Sequence, residues 1–322
     1  MTRLSLERHQ VWVYLLAIGT GLVAGTAWPS AGPALEALLW PAIALLMLAT
    51  FLQVPLLHVR DAWRDRRFAS AMLLGNFVAV PLLAWLLVTV FQVNDVVRLG
   101  VLLVLLVPCT DWFITFTQLG KGDVPRAVAL TPLNLLLQFL LLPVFLWLMA
   151  DTGSMPSWEW TTLASATAVI LVPLLVAAVA ERRMERHPAG ARLRETMAWG
   201  PVPLLALVLL AIAGAQVGAV RSALGWLVAV LPIFVLFLVA AVLLARAIGR
   251  WFGLPVEQGR TLAFSMGTRN SFVVLPLALA LPPGWELAAL VIVFQSLVEL
   301  FGMVVCVWAI PRQIFKSQRG SP

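Results

Sequence analysis

The chain has 322 residues, 61% of them hydrophobic and only 11% charged, with a mean hydropathy of +0.97. A soluble globular domain carries about a quarter of its residues as charges, so this composition excludes a soluble enzyme and indicates an all-α integral membrane protein. The formal net charge of +7 comes from short basic loops rather than from one basic face, which argues against a nucleic-acid partner.

Ten apolar segments follow one another near 11–28, 35–57, 69–91, 96–118, 125–149, 160–180, 197–219, 223–245, 257–281 and 286–310. Each is close to the roughly 20 residues that cross a bilayer as a helix. The first follows Arg3 and Arg8 as a signal peptide would, but its length favours a retained span. The longest polar loop runs from Glu181 to Glu195, and no segment reads as a soluble domain.

Nineteen of the 22 Lys and Arg residues fall on one side of this arrangement, from Arg3 and Arg8 through the Arg60–Arg67 and Arg182–Arg194 clusters to Arg312, Lys316 and Arg319. The opposite loops hold Arg98 and Arg221. Basic loops stay in the cytoplasm, so both termini are expected there, in a multi-pass protein of the cell membrane. Trp28, Trp40, Trp158, Trp160 and Trp285 are read as anchors at span ends. Pro55, Pro81, Pro143, Pro173, Pro232 and Pro276 are expected to kink or end spans. Gly21-x-x-x-Gly25 and Gly214-x-x-x-Gly218 are expected to let helices approach closely.

The fourth segment is interrupted by Pro108-Cys109-Thr110-Asp111-Trp112-Phe113, and the ninth by Gly267-Thr268-Arg269-Asn270-Ser271-Phe272. A proline stops the helical hydrogen-bond ladder, and a charge at this depth is costly in lipid, so such breaks survive only inside protein or beside a wet cavity. Each break is followed by a span with a polar pair at helical i, i+4 spacing: Asn134 and Gln138 in the first half, Gln295 and Glu299 in the second. The halves, 1–159 and 160–322, therefore read as repeats. Five spans per half is odd, so the repeats are expected to be inverted, with the broken fourth and ninth helices meeting at mid-membrane.

Asp111, Arg269 and Glu299 are the ionisable residues placed clearly within spans, where such groups mark a substrate or ion path. Asp111 and Arg269 occupy similar places in the two breaks and are expected to pair, either as a simple fastening or as groups that a substrate and a proton compete for. Thr110, Thr268, Asn270 and Ser271 add neutral donors and acceptors. Half-helix N-termini after Pro108 and Gly267 are expected to present N–H groups, and the half-helix C-termini before them to present carbonyls suited to cations. Cys109 beside the break is either a soft ligand for As(III) or Sb(III) or a small apolar filler; Cys306 reads as packing. The two cysteines have no zinc spacing, and His9, His58 and His187 all lie in flanking segments, so no structural metal, cofactor or catalytic centre is expected.

These motifs resemble the bile acid/sodium symporter superfamily and, within it, the arsenite efflux permeases. The resemblance is carried by Pro108-Cys109-Thr110, the Gly120-Lys121-Gly122-Asp123 loop, and Asn134 with Gln138. It implies a core domain of spans 3–5 and 8–10 that moves against a panel domain of spans 1–2 and 6–7, in a monomer or homodimer that contacts lipid. Where arsenite permeases have a glutamate after the ninth-span Asn-Asn-Phe, this chain has Val273 after Asn270-Ser271-Phe272. Where sodium-coupled relatives carry Glu and Gln, it has Ser265 and Arg269, and a fixed cation there argues against sodium. The resulting expectation is an exporter of arsenite or antimonite driven by protons. Cys109, Thr110, Asp111, Thr268, Arg269, Asn270 and Ser271 would bind substrate; Asp111, Asn134, Gln138, Gln295 and Glu299 would couple the proton. The alternative is a carrier of small organic anions that uses Arg269 and the half-helix N-termini, sodium-coupled or not.

Overall fold

A computed structural model describes residues 3–149, 160–186 and 189–316; Trp158, His187 and Arg319 lie outside these residues. The chain is helical: α1 (Arg3–Ala27), α2 (Gly32–Phe51), α3 (Arg66–Leu74), α4 (Val80–Val90), α5 (Asp95–Leu105), α6 (Trp112–Leu119), α7 (Val124–Met149), α8 (Trp160–Arg186), α9 (Ala189–Met197), α10 (Pro201–Ala215), α11 (Val217–Trp251), α12 (Val256–Gly267), α13 (Ser271–Leu279) and α14 (Glu286–Ala309). Among the described residues, eight helical runs are long and apolar enough to cross a membrane. Helices suit this solvent because every interior backbone N–H and C=O is satisfied within the segment.

The stretches expected as fourth and ninth spans are each divided into two shorter helices, α5 with α6 and α12 with α13. Several boundaries differ from the hydropathy reading. The second span ends at Phe51, the eighth lies in a helix extending over 217–251, and much of the expected 181–195 loop is helical in α8 and α9. Arg246 and Arg250 therefore lie on the last turns of α11. Trp40 lies within α2 beside Pro41 and not at its end. Pro143, Pro173, Pro232 and Pro276 are accommodated inside helices.

The chain divides into two compact units. The first comprises residues 1–57, 156–228 and 272–293. There α10 packs on both α1 and α2, and α2 packs on α8. Gly21 and Gly25 lie directly against the backbone of α10; a Cβ at Gly25 would stand 2.1 Å from the Gly214 carbonyl oxygen. Gly218 has nothing within 4 Å of a built Cβ, so the second expected Gly-x-x-x-Gly pair packs through Gly214 alone.

The second unit comprises residues 58–155, 229–271 and 294–322 and contains both breaks. Helix α12 packs against α3, α6 and α7, and α7 also packs on α5. Between α3 and α4, residues Gly75–Ala79 form a π-helical turn, a feature that redirects side chains and often marks function. Gly75 lets the Met266 side chain pack close against this turn: a Cβ there would stand 2.6 Å from Met266 Sδ, so Met266 would have to shift.

At one end of this unit, Asp65 ties three helices together. It caps α3 by accepting from the Phe68 N–H (3.1 Å), and its Oδ2 accepts from Arg126 Nε (2.7 Å) and Gln258 Nε2 (3.0 Å). Partial burial alone would raise the carboxyl, but these hydrogen bonds and the Arg126 charge outweigh it and hold Asp65 below its usual range. A depressed folded-state pKa contributes stability above the unfolded value of 3.8 and loses it as pH falls through the lower folded value. Asp65→Asn is thus expected to cost roughly 1 kcal/mol at pH 7, a figure kept small by partial solvent screening. The difference in unfolding midpoint from the parent protein should shrink as the pH is taken below that value.

Candidate functional site

The two breaks meet. Pro108 and Arg269 form an antiparallel bridge, with the Cys109 N–H donating to Thr268 O (3.2 Å) and the Asn270 N–H donating to Val107 O (2.8 Å). These bonds flank the Pro108–Arg269 pair, so the pair occupies a position in which neither residue needs to exchange backbone bonds with the other. Proline, having no N–H, loses nothing there. The Arg269 N–H is left pointing elsewhere and donates to Glu299 Oε2 (2.8 Å).

That carboxylate heads a short relay. Gln295 Nε2 donates to Glu299 Oε2 (2.7 Å), and the Ser271 hydroxyl donates to Gln295 Oε1 (2.8 Å). Gln295 and Glu299 share a face of α14, as the i, i+4 spacing requires. Glu299 is 3% exposed, and its Oε1 has no hydrogen-bond partner among the described residues.

On the other side of the bridge, Cys109 Sγ donates to Asp111 Oδ1 (3.1 Å), and Asn270 Nδ2 donates to Thr110 Oγ1 (3.1 Å). Helix α6 begins at Trp112 and α13 at Ser271, later than the sequence alone suggested. Cys109 therefore lies in the extended break itself, not on a helix N-terminus. Asp111 is the N-cap residue of α6, without a side-chain capping bond. The Thr268 hydroxyl bonds back to Phe264 O (2.8 Å), closing the last turn of α12.

The expected Asp111–Arg269 ion pair does not form. The guanidinium of Arg269 turns back along α12, where Nη2 donates to Ser265 O (2.6 Å), Met266 O (2.9 Å) and Asn76 Oδ1 (2.9 Å), and Nη1 donates to Leu105 O (3.3 Å). The physical reason is proximity. The orphan carbonyls of a helix end lie three and four residues behind Arg269 and carry the negative pole of the helix, so they satisfy a long cationic side chain without drawing in a distant carboxylate. Asn76, on the π-helical turn, completes the arrangement and donates from Nδ2 to Ser265 Oγ (2.8 Å). Asn76 was not among the residues singled out by sequence; its only signal is a lone amide in the third apolar run.

The breaks thus bring together Cys109, Thr110, Asp111, Thr268, Arg269, Asn270 and Ser271, with Gln295 and Glu299 attached through hydrogen bonds. Asn134 and Gln138 lie on α7, which packs against α5, α6 and α12. Both are fully buried, and neither amide has a hydrogen-bond partner among the described residues. Four amide donor and acceptor atoms on one buried helix face are expensive unless a polar guest meets them.

The model of the Sodium Bile acid symporter family matches residues 40–222, more than half of the chain. The protein belongs to this family. No curated protein matches the chain. As a member of the symporter family it is a multi-pass membrane transporter that takes a small-molecule substrate and is solvated by lipid. The match includes the first break, with Cys109, Thr110 and Asp111, and the α7 amides Asn134 and Gln138. The second break lies beyond the matched residues and joins the first through the bridge and the Asn270–Thr110 bond.

Proposed function

We propose that this symporter-family protein exports arsenite or antimonite from the cytoplasm, as the neutral trihydroxide, in exchange for protons. The observation that carries this reading is the buried Cys109 thiol, held in the paired break and directed at the Asp111 carboxylate. Trivalent arsenic and antimony are soft centres that prefer sulfur. The sulfur–metalloid bond forms as one metalloid–hydroxide bond breaks, and the thiol proton leaves with the hydroxide as water. Asp111, already hydrogen-bonded to the thiol, carries that proton across. One thiol holds the ion reversibly, as a carrier needs. Thr110 and Asn270, together with the amides of Asn134 and Gln138, supply bonds for the remaining hydroxyls.

Glu299 is the second proton carrier, because its carboxylate is buried beside a polar relay and keeps one oxygen without a protein partner among the described residues. Two inverted repeats of five spans, both termini on the cytoplasmic side, would let the unit holding the breaks move as a core and alternate the site between the two faces.

The competing reading, carriage of small organic anions, follows from the family and needs Arg269 to receive the anion. Both terminal nitrogens of that guanidinium are instead engaged by carbonyls and Asn76, which favours a neutral substrate. The test is As(III) retention in cells lacking arsenite pumps. Expression of the parent chain should lower retention, and Cys109→Ser should return it to the level of cells without the protein. Unaltered retention with well-folded parent protein, or full export by Cys109→Ser, would overturn the proposal. Organic-anion uptake that survives Cys109→Ser but fails in Arg269→Ala would favour the competing reading.

A further inference from the structure

The surroundings of Arg269 have the chemistry of a cation site. Its guanidinium is held by four oxygens: the carbonyls of Ser265 and Met266, the carbonyl of Leu105 and Oδ1 of Asn76. The carbonyls belong to the last turns of α12 and α5, so the C-terminal poles of two half helices converge on one positive group. Phe237 lies across the guanidinium, its ring centroid 5.7 Å from the central carbon, and adds the attraction of an aromatic face. Among the described residues no carboxylate touches the guanidinium, since Glu299 bonds the backbone N–H of Arg269 and not its side chain. Arg269 is 2% exposed, so its charge is buried, and the groups that touch the guanidinium directly are dipoles and an aromatic face.

Converging main-chain carbonyls at the ends of broken helices are the surroundings in which membrane carriers hold free monovalent cations. The family takes its description from sodium. We propose that in this chain the Arg269 side chain is a permanently tethered cation that occupies an oxygen cage built by Ser265, Met266, Leu105 and Asn76. The protein therefore binds no free sodium at this position, and removing the guanidinium turns the cage into a sodium site. The fold favours this because the extended Thr268 (φ −106°, ψ 139°) ends α12, leaving the Arg269 side chain within reach of the carbonyls of the last turn it has just left. The inference concerns the cation and not the substrate. It stands or falls independently of arsenite export.

The test uses the full-length purified protein, the Arg269→Ala and Arg269→Lys variants, and the double variant Arg269→Ala with Asn76→Ala. Thermal unfolding is followed as sodium or potassium chloride replaces choline chloride at constant ionic strength. The parent protein and Arg269→Lys should unfold at the same midpoint in all three salts. Arg269→Ala should unfold earlier in choline and recover by roughly 3–5 °C in sodium, the size expected for a weak ligand in a chain of this length. The double variant, lacking one cage oxygen, should lose most of that recovery. Sodium-specific stabilisation of the parent protein would overturn the proposal. So would an Arg269→Ala protein that is equally destabilised in every salt, or one that fails to fold in all three while Arg269→Lys folds.

Discussion

Glu299→Gln is expected to abolish the proposed proton-driven export while leaving the protein folded. The carboxylate accepts from the Arg269 N–H and from Gln295 Nε2 through the same oxygen, Oε2. A glutamine in the same place retains the carbonyl acceptor and the shape, so the Arg269 N–H keeps a partner and the Pro108–Arg269 bridge stays in register. It cannot take up or release a proton. Loss of a positioned proton-transfer group typically costs about 10²-fold or more in rate. The measurement is As(III) movement in proteoliposomes under an imposed pH gradient, where the variant should give a rate no longer set by the gradient. Retained, gradient-dependent export would remove Glu299 from the coupling path and leave Asp111 as its carrier. Glu299→Ala should be worse in a different way, because it also strands the Arg269 N–H and Gln295 Nε2 inside the protein, a stability loss of about 1–3 kcal/mol for each unsatisfied buried group.

The second large effect is expected from Gly25→Val in the first unit. The built Cβ at this position stands 2.1 Å from Gly214 O and 2.7 Å from Val217 Cγ2. A flexible side-chain tip moves aside at little cost, but a main-chain carbonyl inside α10 moves only with its helix. Overpacking of a well-filled core costs about 1–3 kcal/mol, and a clash with backbone belongs at or above the upper end. The variant should show a fall in folded yield and a lower unfolding midpoint in detergent. Gly218→Ala supplies the contrast: with nothing within 4 Å, it should match the parent protein or slightly exceed it through better helix propensity. If Gly25→Val and Gly218→Ala behave alike, the close approach of α1 and α10 is not what holds this unit.

Much of this was legible without coordinates because hydropathy is a property of composition. A run of apolar residues long enough for the bilayer must become a helix, since no other single segment satisfies its own backbone in lipid. The two breaks were visible for the converse reason: Pro108, Asp111 and Arg269 are residues that lipid does not tolerate beside a continuous helix. The i, i+4 pairs Asn134 with Gln138 and Gln295 with Glu299 were equally plain, because helical spacing dictates a shared face. The glycine motifs were legible only in part. Spacing proposed four close-packed positions, and Gly218 turned out to face open space.

The amino-acid order by itself determined the class of molecule, the places where its helices fail, and the residues that carry polarity into the membrane. Which of those residues bond one another depended on three-dimensional packing. Asp111 and Arg269 attract at long range, yet Arg269 is held by Ser265, Met266, Leu105 and Asn76, while Asp111 receives the thiol of Cys109. A buried charge settles with the acceptors that need no further desolvation. Helix-end carbonyls, already stripped of water and aligned by the fold, offer that where a carboxylate in another break does not.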